Sequence, residues 1–193
     1  IPNGVILHGP PGTGKTMLAK SIAKESKVPF IAISPDVLEN KYYGESQKIL
    51  KAYFTLADKI KPCILFFDEI DGFLSTRNPL DQANTNTLKT LFLTLMDGII
   101  TKSNSIFVFG ATNRLDQVDP AVKRRMSNHI LMSNPNDVQI QQYVKMLIPK
   151  FELSEEVSKK LIGKSYSTIN ELFKYCVKKR YLENRHNEEW TNE

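Results

Sequence analysis

Val5-Ile6-Leu7-His8-Gly9-Pro10-Pro11-Gly12-Thr13-Gly14-Lys15-Thr16 is the stretch on which the reading of this chain turns. A short apolar run ends in a Gly/Pro turn, which predicts a buried strand. From residue 14 to about 27 a helix follows, with Leu18, Ala19, Ile22 and Ala23 on one face. Between the two lies the pattern GxxxxGK[ST], and a strand before it and a helix after it are the context that pattern requires. The glycines let backbone N–H groups converge on phosphate oxygens, and the helix N-terminus adds the positive end of its dipole. Lys15 is expected to reach the β- and γ-phosphates of a nucleotide, and Thr16 to hold Mg²⁺ through its hydroxyl. Nucleotide contacts are thus expected at Gly9, Pro10, Pro11, Gly12, Thr13, Gly14, Lys15 and Thr16, and at Met17 next along the helix.

A second stretch completes the chemistry. Cys63-Ile64-Leu65-Phe66-Phe67 is apolar on both faces, as interior strands of parallel sheets are, and it ends in Asp68-Glu69. Ligands of open α/β sheets bind outside the carboxyl ends of the strands. Asp68 is placed to bind Mg²⁺ through water, and Glu69 to orient and polarise an attacking water as general base. Asp71 is expected to structure the following turn and stays outside the chemistry.

Outward from these two stretches, the pattern predicts strands at 30–33, 106–110 and 129–132, helices at 46–60 and 85–96, and a polar loop at 76–83. Strands alternating with helices predict a parallel α/β sheet with right-handed crossovers. Beyond Asn134-Pro135-Asn136 only helices are expected, at 137–148, 154–162 and 168–183. The last opens on a capping box of Thr168 and Glu171. The chain therefore divides into an α/β domain, 1–134, and a small helical domain, 135–193, that reads as incomplete. Among its 193 residues 41% are hydrophobic and 24% charged, which allows a sizeable core and argues against wholesale disorder. The net charge of +5 suits acidic partners in general, nucleotide, nucleic acid, acidic tails or anionic lipid, and a solvated basic face accounts for it as well. Cys63 and Cys176 read as buried thiols in a reducing compartment, cytosol or nucleus, with no metal-ligand spacing. No apolar stretch approaches the ~20 residues that span a bilayer. The chain begins at Ile1-Pro2 without an initiator Met, so upstream residues, including any membrane anchor, are expected to be missing.

Four motifs in order, Gly9–Thr16, Phe67-Asp68-Glu69-Ile70-Asp71, Gly110-Ala111-Thr112-Asn113-Arg114 and Arg124-Arg125, resemble the AAA ATPase module over essentially the whole chain. The resemblance implies the P-loop NTPase fold: a five-stranded parallel sheet flanked by helices, plus a small C-terminal helical lid. It implies ATP and Mg²⁺ as ligands. It gives Asn113 the sensor role, with its amide on the attacking water or the γ-phosphate. It makes Arg124 and Arg125 arginine fingers, reaching into a neighbouring subunit's nucleotide, so that the complete site exists only between copies of a homohexamer. Lys41-Tyr42-Tyr43-Gly44 is similar to the first pore loop, whose aromatic, here Tyr42, grips a polypeptide in the ring's channel.

Within the family, Tyr43-Gly44-Glu45-Ser46-Gln47-Lys48, Lys61-Pro62-Cys63-Ile64, Thr87-Leu88-Lys89-Thr90 and Leu115 are most similar to the meiotic clade. There they resemble most the subgroup that extracts mislocalised tail-anchored proteins from mitochondrial and peroxisomal outer membranes. The resemblance thus implies a cytosol-facing ATP hydrolase that translocates protein substrates. Membrane contact is expected only through a missing N-terminal segment, and no specific nucleic acid is expected. Microtubule severing of the katanin and spastin type, or disassembly of membrane-scission filaments, is the alternative. A nucleotide-gated scaffold and a DNA-clamp loader share the phosphate loop and stand further off. Departures from the pattern are Tyr42 where Trp is usual and only Asp81 in the second pore loop at 79–83. His129 stands where Arg is common, and Tyr166–Leu172 replaces Gly-x-Ser-Gly-x-Asp-Leu.

Overall fold

The computed structural model describes residues 4–38, 44–72, 74, 82–102, 105–149 and 151–182, with backbone alone at 82–85 and 100–102. By its contacts the chain divides into two units. The first comprises Ile1–Gly9 with Lys15–Met132, and the second Pro10–Gly14 with Ser133–Glu193.

In the first unit five strands form one sheet: β1 (Gly4–His8), β2 (Phe30–Ile33), β3 (Cys63–Phe67), β4 (Ile106–Thr112) and β5 (Asn128–Leu131). Their order is β2-β3-β4-β1-β5, and every pairing is parallel. The helices are α1 (Lys15–Ser26), α2 (Pro35–Leu38), α3 (Glu45–Ile60), α4 (Gln82–Lys102) and α5 (Pro120–Arg125). Side-chain alternation along the strands builds two cores. On β3, Ile64 and Phe66 face one way, where they pack with Leu7, Phe109 and the Ala19 and Ala23 stripe of α1. Cys63, Leu65 and Phe67 face the other, with Ile6, Val108, Leu50 and Phe54 of α3, and Phe92 and Met96 of α4. Phe92 stands edge-on to both Phe54 and Phe67, at 6.1 and 5.2 Å between ring centres. All five residues of β3 are buried, which is why the sequence shows a continuous apolar run there rather than an alternation.

The second unit holds α6 (Asp137–Leu147), α7 (Glu155–Leu161) and α8 (Tyr166–Leu182) around a small core of Ile140, Val144 and Ile169. Tyr143 and Tyr166 meet edge to face at 5.0 Å. A capping box opens α6: the Asn136 side chain accepts from the Gln139 N–H, and the Gln139 side chain accepts from the Asn136 N–H.

Several expectations change. The helix predicted at 85–96 runs from Gln82 to Lys102, and β4 continues to Thr112. Packing decides both ends, because Ile99 and Thr112 are buried. The capping box at Thr168 is not there. The helix begins two residues earlier, and Ser165 Oγ accepts from the Thr168 N–H. Gly163, at φ +82°, supplies the left-handed bend that lets the chain turn into the helix at Ser165, so the polar start falls ahead of Thr168. Cys63 is buried and burial pushes its thiol up, but Cys176 is exposed, so the pair is not two buried thiols. Among the described residues no helix is long and apolar enough to cross a membrane.

Candidate functional site

Three neighbouring parallel strands bring the predicted chemistry to one edge of the sheet. In register, Phe67 of β3 lies beside Gly110 of β4, and Thr112 of β4 beside His8 of β1. Asp68-Glu69, Asn113 and Gly9 therefore all leave the carboxyl ends of adjacent strands, where α/β sheets bind ligands.

The phosphate loop is shaped by its glycines. Gly9, Gly12 and Gly14 have φ of +138°, +73° and +94°, a region that side chains rarely enter. A Cβ on Gly9 would lie 2.2 Å from the Met132 carbonyl oxygen. Around Gly14 a Cβ would meet nothing within 4 Å, so there the backbone conformation and not crowding calls for glycine. Thr13 is buried and its hydroxyl donates to the Pro10 carbonyl at 2.9 Å, which folds the loop's tip. Pro10, Pro11 and Gly12 are exposed, and Met17 is 70% exposed on α1.

Lys15 opens α1 and is 92% withdrawn from solvent, its relative exposure being 8%. Its Nζ donates to the Gly9 carbonyl at 2.9 Å. Burial lowers the pKa of this ammonium, and the nearby Asp68 carboxylate partly offsets that. A buried ammonium in the first turn of a helix, where the positive end of the helix dipole lies, is a site that an anion would stabilise. Thr16 Oγ1 donates to Asp68 Oδ2 at 3.1 Å. A hydroxyl and a carboxylate brought this close are hard oxygen donors of the type Mg²⁺ takes, so the residues present fit the ion.

Glu69 is exposed, one residue past Asp68, and its backbone sits at φ +46°. A left-handed non-glycine residue is uncommon and costs on the order of 1 kcal/mol. Its N–H donates to Asp68 Oδ1 at 3.1 Å, and its carbonyl accepts from Gly72 at 2.8 Å, which together hold the turn. Asn113 is exposed directly after β4. Arg124 is exposed on α5. Arg125 is not: it forms a fork with Asp97 of α4, Nε to Oδ1 and Nη2 to Oδ2, both at 2.7 Å. Gly44, at φ +84°, precedes α3, while Lys41, Tyr42 and Tyr43 of the predicted pore loop and the segment 75–81 lie outside the described residues.

Three arrangements escaped the sequence reading. Asp71 is buried, accepts from Thr112 Oγ1 at 2.6 Å and pairs with Arg114 at 3.3 Å, so it ties the turn after β3 to the end of β4 that carries Asn113. Asp97 stands among apolar residues in the sequence but on the exposed side of α4, and has no local motif to announce it. In the second unit, the Ser167 N–H donates to the Gly12 carbonyl at 3.2 Å. A Cβ on Gly12 would sit 2.7 Å from Ser165 Oγ, so that glycine admits the start of α8 as well as a left-handed turn.

Residues 5–134 match the family model described as ATPase family associated with various cellular activities (AAA). The chain belongs to this family, and it is an AAA ATPase domain with the P-loop NTPase fold. It is 44% identical over 177 residues to a zebrafish (Danio rerio) protein named outer mitochondrial transmembrane helix translocase, covering 89% of this chain and 47% of that one. It is 41% identical over 157 residues to the Caenorhabditis elegans mitochondrial sorting homolog, covering 81% of this chain and 46% of that one. The chain thus spans about half the length of these curated relatives. Among solved structures it resembles the FIGL-1 AAA domain in complex with ADP, with a TM-score of 0.72, 34% identity, and 86% of this chain and 57% of that one covered.

Proposed function

We propose that this chain is the engine of a homohexameric motor that hydrolyses ATP with Mg²⁺ and pulls transmembrane helices out of the mitochondrial outer membrane from its cytosolic side. In this reading residues 1–134 are the nucleotide-binding domain and 135–193 a helical lid. The observation that carries the chemistry is the meeting of Thr16 with Asp68, beside Lys15 and Glu69 at one sheet edge. The names of the relatives support the substrate class.

Bound Mg²⁺-ATP supplies the transferable phosphoryl group and the positive charge that screens it. Lys15 exchanges the Gly9 carbonyl for phosphate oxygens. The loop N–H groups hold the remaining oxygens, with Gly9, Pro10, Pro11, Gly12, Thr13 and Gly14 setting their directions and Met17 beside them. The Thr16 hydroxyl and the Asp68 carboxylate hold the metal, Asp68 through water. Glu69 takes the proton of the attacking water, and the Asn113 amide holds that water in line. Arg124 of a neighbouring copy offsets charge developing on the phosphoryl oxygens, a contribution of about 10³–10⁵ in rate where it has been removed elsewhere. Tyr42 grips the extended substrate, and tail-anchored proteins are the proposed cargo.

The test is ATP turnover per subunit across a wide range of protein concentration, repeated with Arg124→Ala protein mixed in. Turnover that climbs steeply with concentration and is suppressed by the variant supports the shared site. Turnover flat in concentration and indifferent to the variant refutes it. Loss of a tail-anchored reporter from mitochondria, dependent on Glu69, tests the cargo. ATP-dependent shortening of microtubules would favour severing instead.

A further inference from the structure

The two arginines at the end of α5 stand in unlike surroundings. Val122 and Met126, four residues apart, are fully buried, so they mark the face of α5 that packs on the core. Arg125 lies three residues after Val122 and shares that face. Its Nε and Nη2 are bound to the Asp97 carboxylate of α4, and its Nη1 donates to the Ala121 carbonyl at 3.2 Å. Three of its five N–H donors are thus spent inside its own chain. Arg124 is two residues from Val122, about 200° around the helix, and is exposed on the opposite side. The other end of α5 is fastened in the same way. Asp119, the N-cap, accepts from the Ala121 N–H at 2.7 Å and from Lys89 Nζ of α4 at 2.8 Å. A six-residue helix is too short to hold its own direction, and here one ion pair to α4 lies at each end of it.

We propose that Asp97 and Arg125, with Lys89 and Asp119, form a clamp that sets α5 on α4 so that Arg124 alone projects to a neighbouring copy's phosphates. Arg125 is then a positioning residue and not a second finger. Two parallel N–H···O bonds fix the plane of a guanidinium as well as its place, which a lysine or a single contact would not do. This rests on the shared-site reading above, and Arg124→Ala measured alongside reports on that reading separately.

The experiment uses Asp97→Asn, Arg125→Ala, and the exchanged pair D97R/R125D, with assembly followed by sedimentation in ATP. In each variant kcat and KM for ATP are measured. For Asp97→Asn we expect kcat to fall about tenfold or more, as for a misdirected group. KM should stay within about twofold and assembly should persist, because its own nucleotide site is untouched. The exchanged pair should recover most of the lost kcat. Asp97→Asn at full kcat overturns the proposal. So does an exchanged pair that assembles yet remains as inactive as Arg125→Ala, since Arg125 then reaches the phosphates itself. A fall in nucleotide affinity or in folding equal to the fall in kcat also overturns it. Full turnover in Arg124→Ala defeats the shared site instead, whatever the Asp97 variants do.

Discussion

Lys15 and Glu69 are each held at a cost that binding or chemistry must offset. Lys15 is a cation in a site that burial makes unfavourable for charge. Glu69 keeps a left-handed backbone that no other described acidic residue adopts. That turn carries its carboxylate out to the exposed edge beside Asp68, where a water could be reached. Replacing Glu69 with Gln keeps the size and removes the base. ATP binding by the variant should persist while turnover falls by about 10²–10⁴, which a fluorescent-nucleotide titration and a phosphate-release assay would separate. His8, beside the loop, offers a pH prediction. An unfolded histidine titrates near 6.5, and burial, then the charges of His129 and Lys15, hold His8 below that. Between the two values the unfolded chain binds a proton that the native one does not. Stability should therefore drop as pH falls through 6.5 toward the folded value, then level off. In thermal melts between pH 7.5 and pH 5.5, His8→Gln should show a shallower decline than the parent.

Helix ends carry much of the local specification. Asn136 and Gln139 cap each other's backbone at the start of α6, and Asn136→Ala should cost the helical unit about 1 kcal/mol, read as faster hydrogen exchange at the first turn of α6. On the sheet, Phe92 contributes through shape. It is fully buried between the rings of Phe54 and Phe67, so Phe92→Ala should destabilise the α/β unit by about 3–5 kcal/mol in a denaturant titration. The two substitutions act on different units. In a double variant each should keep the effect it has alone, because the two sites share no partners.

In the whole molecule, hydrolysis and pulling are separable in the proposed motor. Tyr42→Ala leaves the nucleotide site intact, so ATP turnover should stay within about twofold of the parent. Translocation of a tail-anchored protein should fail, with extraction measured from outer-membrane vesicles and turnover from released phosphate.

The elements nearest the chemistry were those most legible in the chain. The strand, Gly-rich loop and helix at 5–27, and the apolar run ending in Asp68-Glu69, are signals whose meaning is local. Glycine conformations, a helix N-terminus and a strand buried on both faces each follow from a few consecutive residues. With the apolar runs at 30–33, 106–110 and 129–132, they were enough for the α/β class, the five strands and the order of the motifs along the chain. What only the tertiary structure decided involves partners distant in sequence. The strand order β2-β3-β4-β1-β5 sets the end of β4, which leads to Asn113, beside the end of β1, which leads to Gly9, and no short window encodes that. Asp71 serves as a tie because Thr112 and Arg114 arrive beside it from another strand. The start of α8 shifted to Tyr166 because Gly163 and Ser165 set the entry, where pattern alone favoured Thr168. Arg124 and Arg125, adjacent and identical in kind, differ only because α5 turns one of them toward Asp97. Side-chain direction in a helix is set by what the helix packs against, and that is a property of the folded chain.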